Sequence, residues 1–289
     1  MTVAASIIAW FEHAGRDLPW RAGRTDPWGI LVCEVMSQQT PVTRVEPRWR
    51  AWMERWPTPA DLAAAPRAEV LRAWDRLGYP RRAIRLHECA EVIVRDYDGE
   101  VPTDEETLRT LPGIGAYTAA AVAAFGGGHR TVVADTNVRR VLARLHGEAG
   151  VPAHVRAFEL ERARALLPQD PARAVRLNEG LMELGALICT ARSPRCEVCP
   201  VAERCAWYAA GRPADPTITR RTQAWHGTDR QARGRIMALL RSPQADAGVS
   251  IDAARAASRA PAEQAERALA GLLADGLCTQ TSSGLIRLP

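Results

Sequence analysis

Cys189-Thr-Ala-Arg-Ser-Pro-Arg-Cys196-Glu-Val-Cys199-Pro-Val-Ala-Glu-Arg-Cys205 puts four cysteines close together, with gaps of six, two and five residues. Thiols this crowded in a reducing compartment point to ligation of a metal or a cluster. Paired zinc motifs usually consist of two short C-x-x-C units separated by a long gap. Here a single C-x-x-C pair is flanked by lone cysteines on longer arms, so one compact site has to use all four. That suits a [4Fe-4S] cube with one thiolate per iron. A structural zinc ion and a pair of disulfides remain the other readings of the spacing. The remaining cysteines, Cys33, Cys89 and Cys278, are scattered and read as buried, inert thiols.

Outward from this motif the hydrophobic pattern is helical. Apolar residues recur at three- and four-residue steps over 3–13, 28–38, 44–55, 81–97, 114–125, 135–147 and 174–188. Gly and Pro punctuate the gaps, as at Pro57, Pro59, Gly78-Tyr79-Pro80 and Gly126-Gly127-Gly128. No period-two pattern occurs before about residue 276, so the body is expected to be all-α. From Arg212 to Gly227 the chain is polar and proline-containing, as in a linker. Beyond it, 229–241, 251–258 and 261–275 read as helices. Leu277–Gln280 and Leu285–Leu288 form a hairpin around Ser282-Ser283-Gly284. Three helices and a hairpin make a winged-helix-like module; a helical tail packed on the body is the alternative.

With 289 residues the chain has room for two or three domains. No run of about 18 apolar residues exists to cross a membrane. The first residues, Met1–Phe11, read as an amphipathic helix without a basic leader or cleavage signal, so a cytoplasmic, nucleoid-associated protein is expected. The net charge of +5 suits a nucleic-acid partner without proving one. All 38 residues counted as Lys plus Arg are arginine. No side-chain primary amine is therefore present to form a Schiff base.

Leu111-Pro112-Gly113-Ile114-Gly115 lies between two helical segments. Its glycines permit a tight hairpin with open backbone N–H groups, and the next helix starts there with its positive dipole end. Such a site suits a DNA phosphate and needs no base contact. A tight helix–helix turn uses the same residues. Joined to the C-x6-C-x2-C-x5-C pattern, however, L-P-G-I-G resembles the helix-hairpin-helix, iron–sulfur DNA glycosylases, and within them the MutY-type adenine glycosylases. The resemblance covers roughly residues 5–210. It implies a six-helix barrel domain with the hairpin over 25–135. An iron–sulfur domain is implied over 1–24 and 136–211, with a deep cleft between the two. The linker and the module at 228–289 would follow. The Nudix-like C-terminal domain of many relatives is not expected in the remaining 60 or so residues.

Glu34 sits among apolar residues in Trp28-Gly-Ile-Leu-Val-Cys-Glu34-Val-Met-Ser-Gln-Gln-Thr40. A buried carboxyl tends to keep its proton, which departure of a purine requires. An exposed or ion-paired glutamate is the plain alternative. E-V-M-x-Q-Q-T resembles the MutY signature, which implies that Glu34 protonates adenine at N7. Gln38 and Gln39 would then lie against the DNA stack. Ser37 replaces the usual leucine, which puts local stacking in doubt. Asp135 opens Asp-Thr-Asn-Val-Arg-Arg and reads first as a helix N-cap. The resemblance implies that it faces the sugar and steadies an oxocarbenium-like centre, with Asn137 orienting it. Tyr117 reads as a core residue at a helix start. It stands where lyase members carry a lysine, so hydrolysis without strand cleavage is expected.

The resemblance extends to weaker positions. Leu18, Trp20 and Arg21 of Leu-Pro-Trp-Arg match the segment lining the adenine pocket. Glu179 matches a residue reading the edge of the flipped base, and Tyr79 a wedge beside the opposite base. Pro80 replaces a second tyrosine. Arg192 and Arg195 read either as phosphate contacts or as a solvated face. Together these imply a monomeric, monofunctional adenine DNA glycosylase acting on duplexes with A:8-oxoguanine or A:G mispairs. The rivals are a thymine/uracil mismatch glycosylase of the same superfamily and a non-enzymatic iron–sulfur DNA-binding redox sensor.

Overall fold

The computed structural model describes residues 1–21, 24–214 and 226–289. Most of the expected linker therefore lies outside the described residues. The helices run in chain order as α1 (Val3–Ala14), α2 (Pro27–Ser37), α3 (Val42–Arg55), α4 (Pro59–Ala63), α5 (Arg67–Trp74), α6 (Arg81–Asp96), α7 (Glu105–Leu108) and α8 (Ala116–Phe125). They continue with α9 (Thr136–Leu145), α10 (Ala157–Leu166), α11 (Pro171–Leu187), α12 (Ala206–Ala209), α13 (Asp229–Leu240), α14 (Ile251–Ala257) and α15 (Ala262–Ala274). Two short strands close the chain, β1 (Thr279–Gln280) and β2 (Ile286–Arg287). The all-α body read from the periodicity is what forms. Among the described residues no helix is long and apolar enough to cross a membrane.

Five helices escaped the periodicity. Three of them, α4, α7 and α12, have four or five residues, too few to show a 3.6-residue repeat. α5 has eight residues. α10 is charged, and what it buries is Glu159 and Ala163 rather than an apolar stripe. Glu159 earns its place through Arg139 of α9, whose Nε lies 2.9 Å from it.

The chain divides into two compact units, Met1–Glu34 with Val101–Arg220, and Val35–Glu100 with Arg221–Pro289. In the first, α1 packs along α11, α11 on α9, and α10 and α12 on α9. Their shared core includes Ile7, Ile8, Val138, Leu142, Leu177, Leu181 and Leu184. α7 and α8 form the arms of the hairpin around Leu111–Gly115.

In the second unit α4 and α5 lie on α6, and α3 on α5. The rings of Trp52 and Trp56, and of Trp52 and Trp74, meet edge to face at 4.6 and 5.7 Å. At the C-terminus α13 packs on α14 and α15. β1 pairs antiparallel with β2, Thr279 opposite Arg287 and Gln280 opposite Ile286. Val249, just before α14, adds an antiparallel bridge to Ile286. Helix, strand bridge, two helices and hairpin follow one another as in a winged helix.

Candidate active site and cysteine centre

Three helices, α2, α8 and α9, carry the residues of the candidate active site. α2 starts where the Asp26 carboxylate accepts from the Gly29 N–H at 2.8 Å, with Pro27 as its first residue. It buries Ile30, Leu31, Val32, Val35 and Met36, and Glu34 with them. The Glu34 carboxyl accepts a hydrogen bond from Tyr117, in the first turn of α8. Burial pushes Glu34 up to about 7 against that hydrogen bond, and the nearby Asp135 charge pushes the same way. Burial and the two carboxylates together hold Tyr117 well above the usual phenol range, so its hydroxyl remains a donor.

Asp135, the second candidate carboxyl, caps α9. One carboxylate oxygen accepts from the Val138 N–H at 2.6 Å and the other from Asn137 Nδ2 at 2.9 Å. Burial raises its pKa, while those donors and Arg140 pull it back toward the anion. The positive end of α9 acts in the same direction. Two carboxyls thus share one electrostatic site with unlike surroundings, apolar for Glu34 and donor-rich for Asp135.

The network continues into the cysteine loop. Arg140 donates to Asn137 Oδ1 at 2.7 Å, to the Gly185 carbonyl at 2.7 Å and to the Cys189 carbonyl at 2.8 Å. Arg144 donates to the Thr190 carbonyl at 2.8 Å, reaches Cys189 Sγ at 3.3 Å, and stacks 4.3 Å over the Trp207 ring. The Cys205 thiol donates to the Arg144 carbonyl at 3.3 Å. The sequence reading passed over both arginines. Helical spacing was the available signal, since Asn137, Arg140 and Arg144 follow one another at steps of three and four.

Cys189, Cys196, Cys199 and Cys205 line one small pocket together with Ile188 and Trp207, among others. All four are free thiols. The pocket's other lining residues include the apolar Ile188, Pro194 and Ala202, and four thiols are a donor set that fits an iron–sulfur cube with one thiolate per iron.

The other candidate residues are placed as follows. Leu18 is buried and Trp20 half-buried. Arg21 lies over the Phe11 ring and donates to Glu183 at 2.7 Å, as Arg16 does. Glu183 is thus the anchor of the Leu18–Arg21 segment, a role the sequence did not suggest. Glu179 is buried on α11 and accepts from Arg176 at 3.0 Å. Gly113 takes φ +78°, the left-handed conformation the hairpin turn needs, and Gly115 caps α8. Arg192 is exposed; Arg195 is exposed too, but one of its donors is committed to the Leu187 carbonyl at 2.9 Å. Gln38, Gln39 and Tyr79 belong to the second unit. Gln39 and Tyr79 both have left-handed backbone, at φ +55° and +46°.

Residues 32–165 match the family of HhH-GPD superfamily base excision DNA repair proteins. Residues 189–205 match the iron–sulfur binding domain of endonuclease III. The adenine DNA glycosylase of Mycolicibacterium smegmatis is 53% identical over 98% of this chain and 94% of its own length. The chain belongs to the adenine DNA glycosylase family. A solved thermostable thymine-DNA glycosylase aligns with TM-score 0.65 and 30% identity, over 72% of this chain and 95% of its own. A non-covalent endonuclease III–DNA complex aligns with TM-score 0.61 and 25% identity, over 72% and 94%. As a family member the chain is a DNA-binding N-glycosylase with a [4Fe-4S] cluster, which the four cysteines would hold.

Proposed function

We propose that this glycosylase releases adenine mispaired with 8-oxoguanine or guanine, by hydrolysis and without cutting the strand, and that it does so as a monomer. One observation carries the reading: Glu34, Tyr117 and Asp135 interact in one buried group in which Glu34 is held to about 7. A carboxyl at that value keeps its proton in about half the molecules at neutral pH, and that form can donate to N7 of adenine as the glycosidic bond breaks. The bonding pair leaves with the base, and positive charge develops at C1′. Asp135, kept anionic by Asn137, Arg140 and the start of α9, steadies that charge. Water then adds at C1′, giving an abasic sugar, and its proton restores Glu34.

Tyr117 holds the acid in place, and the absence of lysine supports hydrolysis without a Schiff base. Leu18, Trp20, Arg21 and Glu179 surround the extruded base in this reading. Gly113, Gly115, Gln38, Arg192 and Arg195 take DNA, while Gln39 and Tyr79 meet the opposite base. Residues 1–24 and 136–211 make up the cluster-bearing domain and 25–135 the barrel. The cluster, when bound, supplies a rigid thiolate-ligated node that orders the 189–205 loop.

The test is incubation with A:8-oxoguanine, A:G, T:G and U:G duplexes, with strand breaks compared before and after alkali. Free adenine and breaks seen after alkali alone are expected. Release of thymine or uracil instead, or strand breaks before alkali, overturns the reading.

A further inference from the structure

The C-terminal module packs against a loop that carries unusual backbone. Asp75, Gly78 and Tyr79 all have positive φ, at +43°, +85° and +46°. For a non-glycine residue such a conformation lasts only where neighbours over-determine it. Here each carbonyl from Asp75 to Gly78 accepts from an arginine. Arg241, at the C-cap of the module's first helix, takes Asp75, and Arg44 takes Arg76. Arg82 takes Leu77 at 3.3 Å and Gly78 at 3.1 Å. Further ion pairs fasten the module: Arg72 with Asp246, and Arg81 with Asp275 at 3.2 Å.

At the tip of this loop Tyr79 is 41% exposed, unusual for so large a ring. It is not bare. The Arg230 guanidinium, from the first turn of α13, lies 4.5 Å from the ring centroid, and that of Arg82 lies at 5.7 Å. A planar cation on an aromatic ring limits the ring's rotation and prolongs the stacking surface. α15 offers nothing comparable. It stands where a winged helix carries its groove-reading helix, yet its exposed residues include Glu263, Glu266, Arg267 and Ala270. Acidic side chains there oppose a phosphate backbone.

We infer that Arg230 is a positioning residue for Tyr79, through which the C-terminal module sets the preference for the base opposite the excised adenine. The inference rests on the proposed role of Tyr79 beside that base. The module then works as a brace with α13 as its active edge, not as a second DNA reader built on α15.

The experiment uses the full chain loaded with its cluster, as wild type, Arg230→Ala, Tyr79→Ala, the double variant, and Arg267→Ala on the α15 face. Single-turnover adenine release is measured on A:8-oxoguanine and A:G duplexes. A 2-aminopurine next to the opposite base reports wedge insertion by fluorescence. Arg230→Ala is expected to lower release roughly fivefold, to narrow the difference between the two duplexes, and to reduce the 2-aminopurine response. In the Tyr79→Ala background the same change should add nothing. Arg267→Ala should match wild type, with the pH dependence of release unchanged throughout. An active wild type with a silent Arg230→Ala overturns this inference alone, as do losses that add in the double variant or a defect confined to Arg267→Ala. A wild type that releases no adenine overturns the function proposed above, and this inference with it.

Discussion

Around Glu34 the chain withholds polar partners; around Asp75–Tyr79 it supplies them in excess. Glu34 is buried on a helix whose chain neighbours Leu31, Val32, Val35 and Met36 are apolar, receives a hydrogen bond from Tyr117, and is held at about 7. The loop has its successive carbonyls taken by Arg241, Arg44 and Arg82 and a second guanidinium, that of Arg230, on its exposed ring. The first arrangement tunes a proton, because desolvation acts on charge. The second fixes a conformation, because donors that saturate a strained backbone act on geometry. If the contrast is sound, changes in one region should move pH dependence and changes in the other should not.

The largest effect expected is that of Glu34→Gln on adenine release. Loss of a general acid costs about 10²–10⁴-fold, and a fall of that size should come with unchanged affinity for duplex DNA. In wild type, release should decline above pH 7 as Glu34 ionises. It should decline again in acid as Asp135, itself raised by burial, takes up a proton. Single-turnover rates against pH test both limbs. Full activity in Glu34→Gln would remove the acid from the mechanism.

The same substitution should stabilise the protein at alkaline pH. Burial raises Glu34 above its ordinary value of 4.5, so the native state binds this proton more tightly than the unfolded chain does. Stability is therefore intact below 4.5 and is lost as pH rises through about 7. The full cost is about 3 kcal/mol at 1.36 kcal/mol per unit. Urea unfolding at pH 8 should show Glu34→Gln more stable by up to that amount, with the gain shrinking toward pH 5. An equal gain at both pH values would mean that the carboxyl is not the source.

Gly185→Ala comes next. A Cβ there would sit 2.7 Å from Asn137 Cβ and 2.9 Å from its carbonyl oxygen. Overpacking of this kind costs about 1–3 kcal/mol, and it would push the start of α9, with Asp135, off its place. Release should slow while the alkaline limb stays near 7. Unaltered stability by urea unfolding would show that α9 and α11 have slack at this contact.

Much of the first region was legible in the sequence, and little of the second. Glu34 could be read because its apolar neighbours are its neighbours in the chain, and the four cysteines because their spacing alone encloses a site. Asp135 was legible as a cap, which the structure shows, and its place beside Glu34 was suggested by resemblance alone. Arg140 and Arg144 were within reach of a helical-spacing argument but carry no mark distinguishing them from the chain's many other arginines. Arg230 meets Tyr79, and Arg241 meets Asp75, through tertiary packing of segments far apart in the chain, which no local pattern encodes. Glu183 was missed for the same reason, since its partners Arg16 and Arg21 lie at the other end of the unit's sequence.

The smallest effect expected belongs to Arg241→Ala, which probes the contrast from its other side. Arg241 donates to the Asp75 carbonyl, at a residue whose φ of +43° is unfavourable for aspartate. Without that donor the carbonyl loses a hydrogen bond worth about 0.5–1.5 kcal/mol. Arg48 still holds the Asp75 carboxylate, so the loop should loosen and not unfold. Thermal or urea unfolding should register a loss within that range. Adenine release should show a weakened opposite-base preference, smaller than that of Arg230→Ala, because the ring's own guanidinium remains. The alkaline limb near 7 should not move, since nothing around Glu34 has changed its solvation. A limb that shifts in Arg241→Ala would mean that the loop's geometry reaches the acid's surroundings. Proton tuning and backbone bracing would then be one device rather than two.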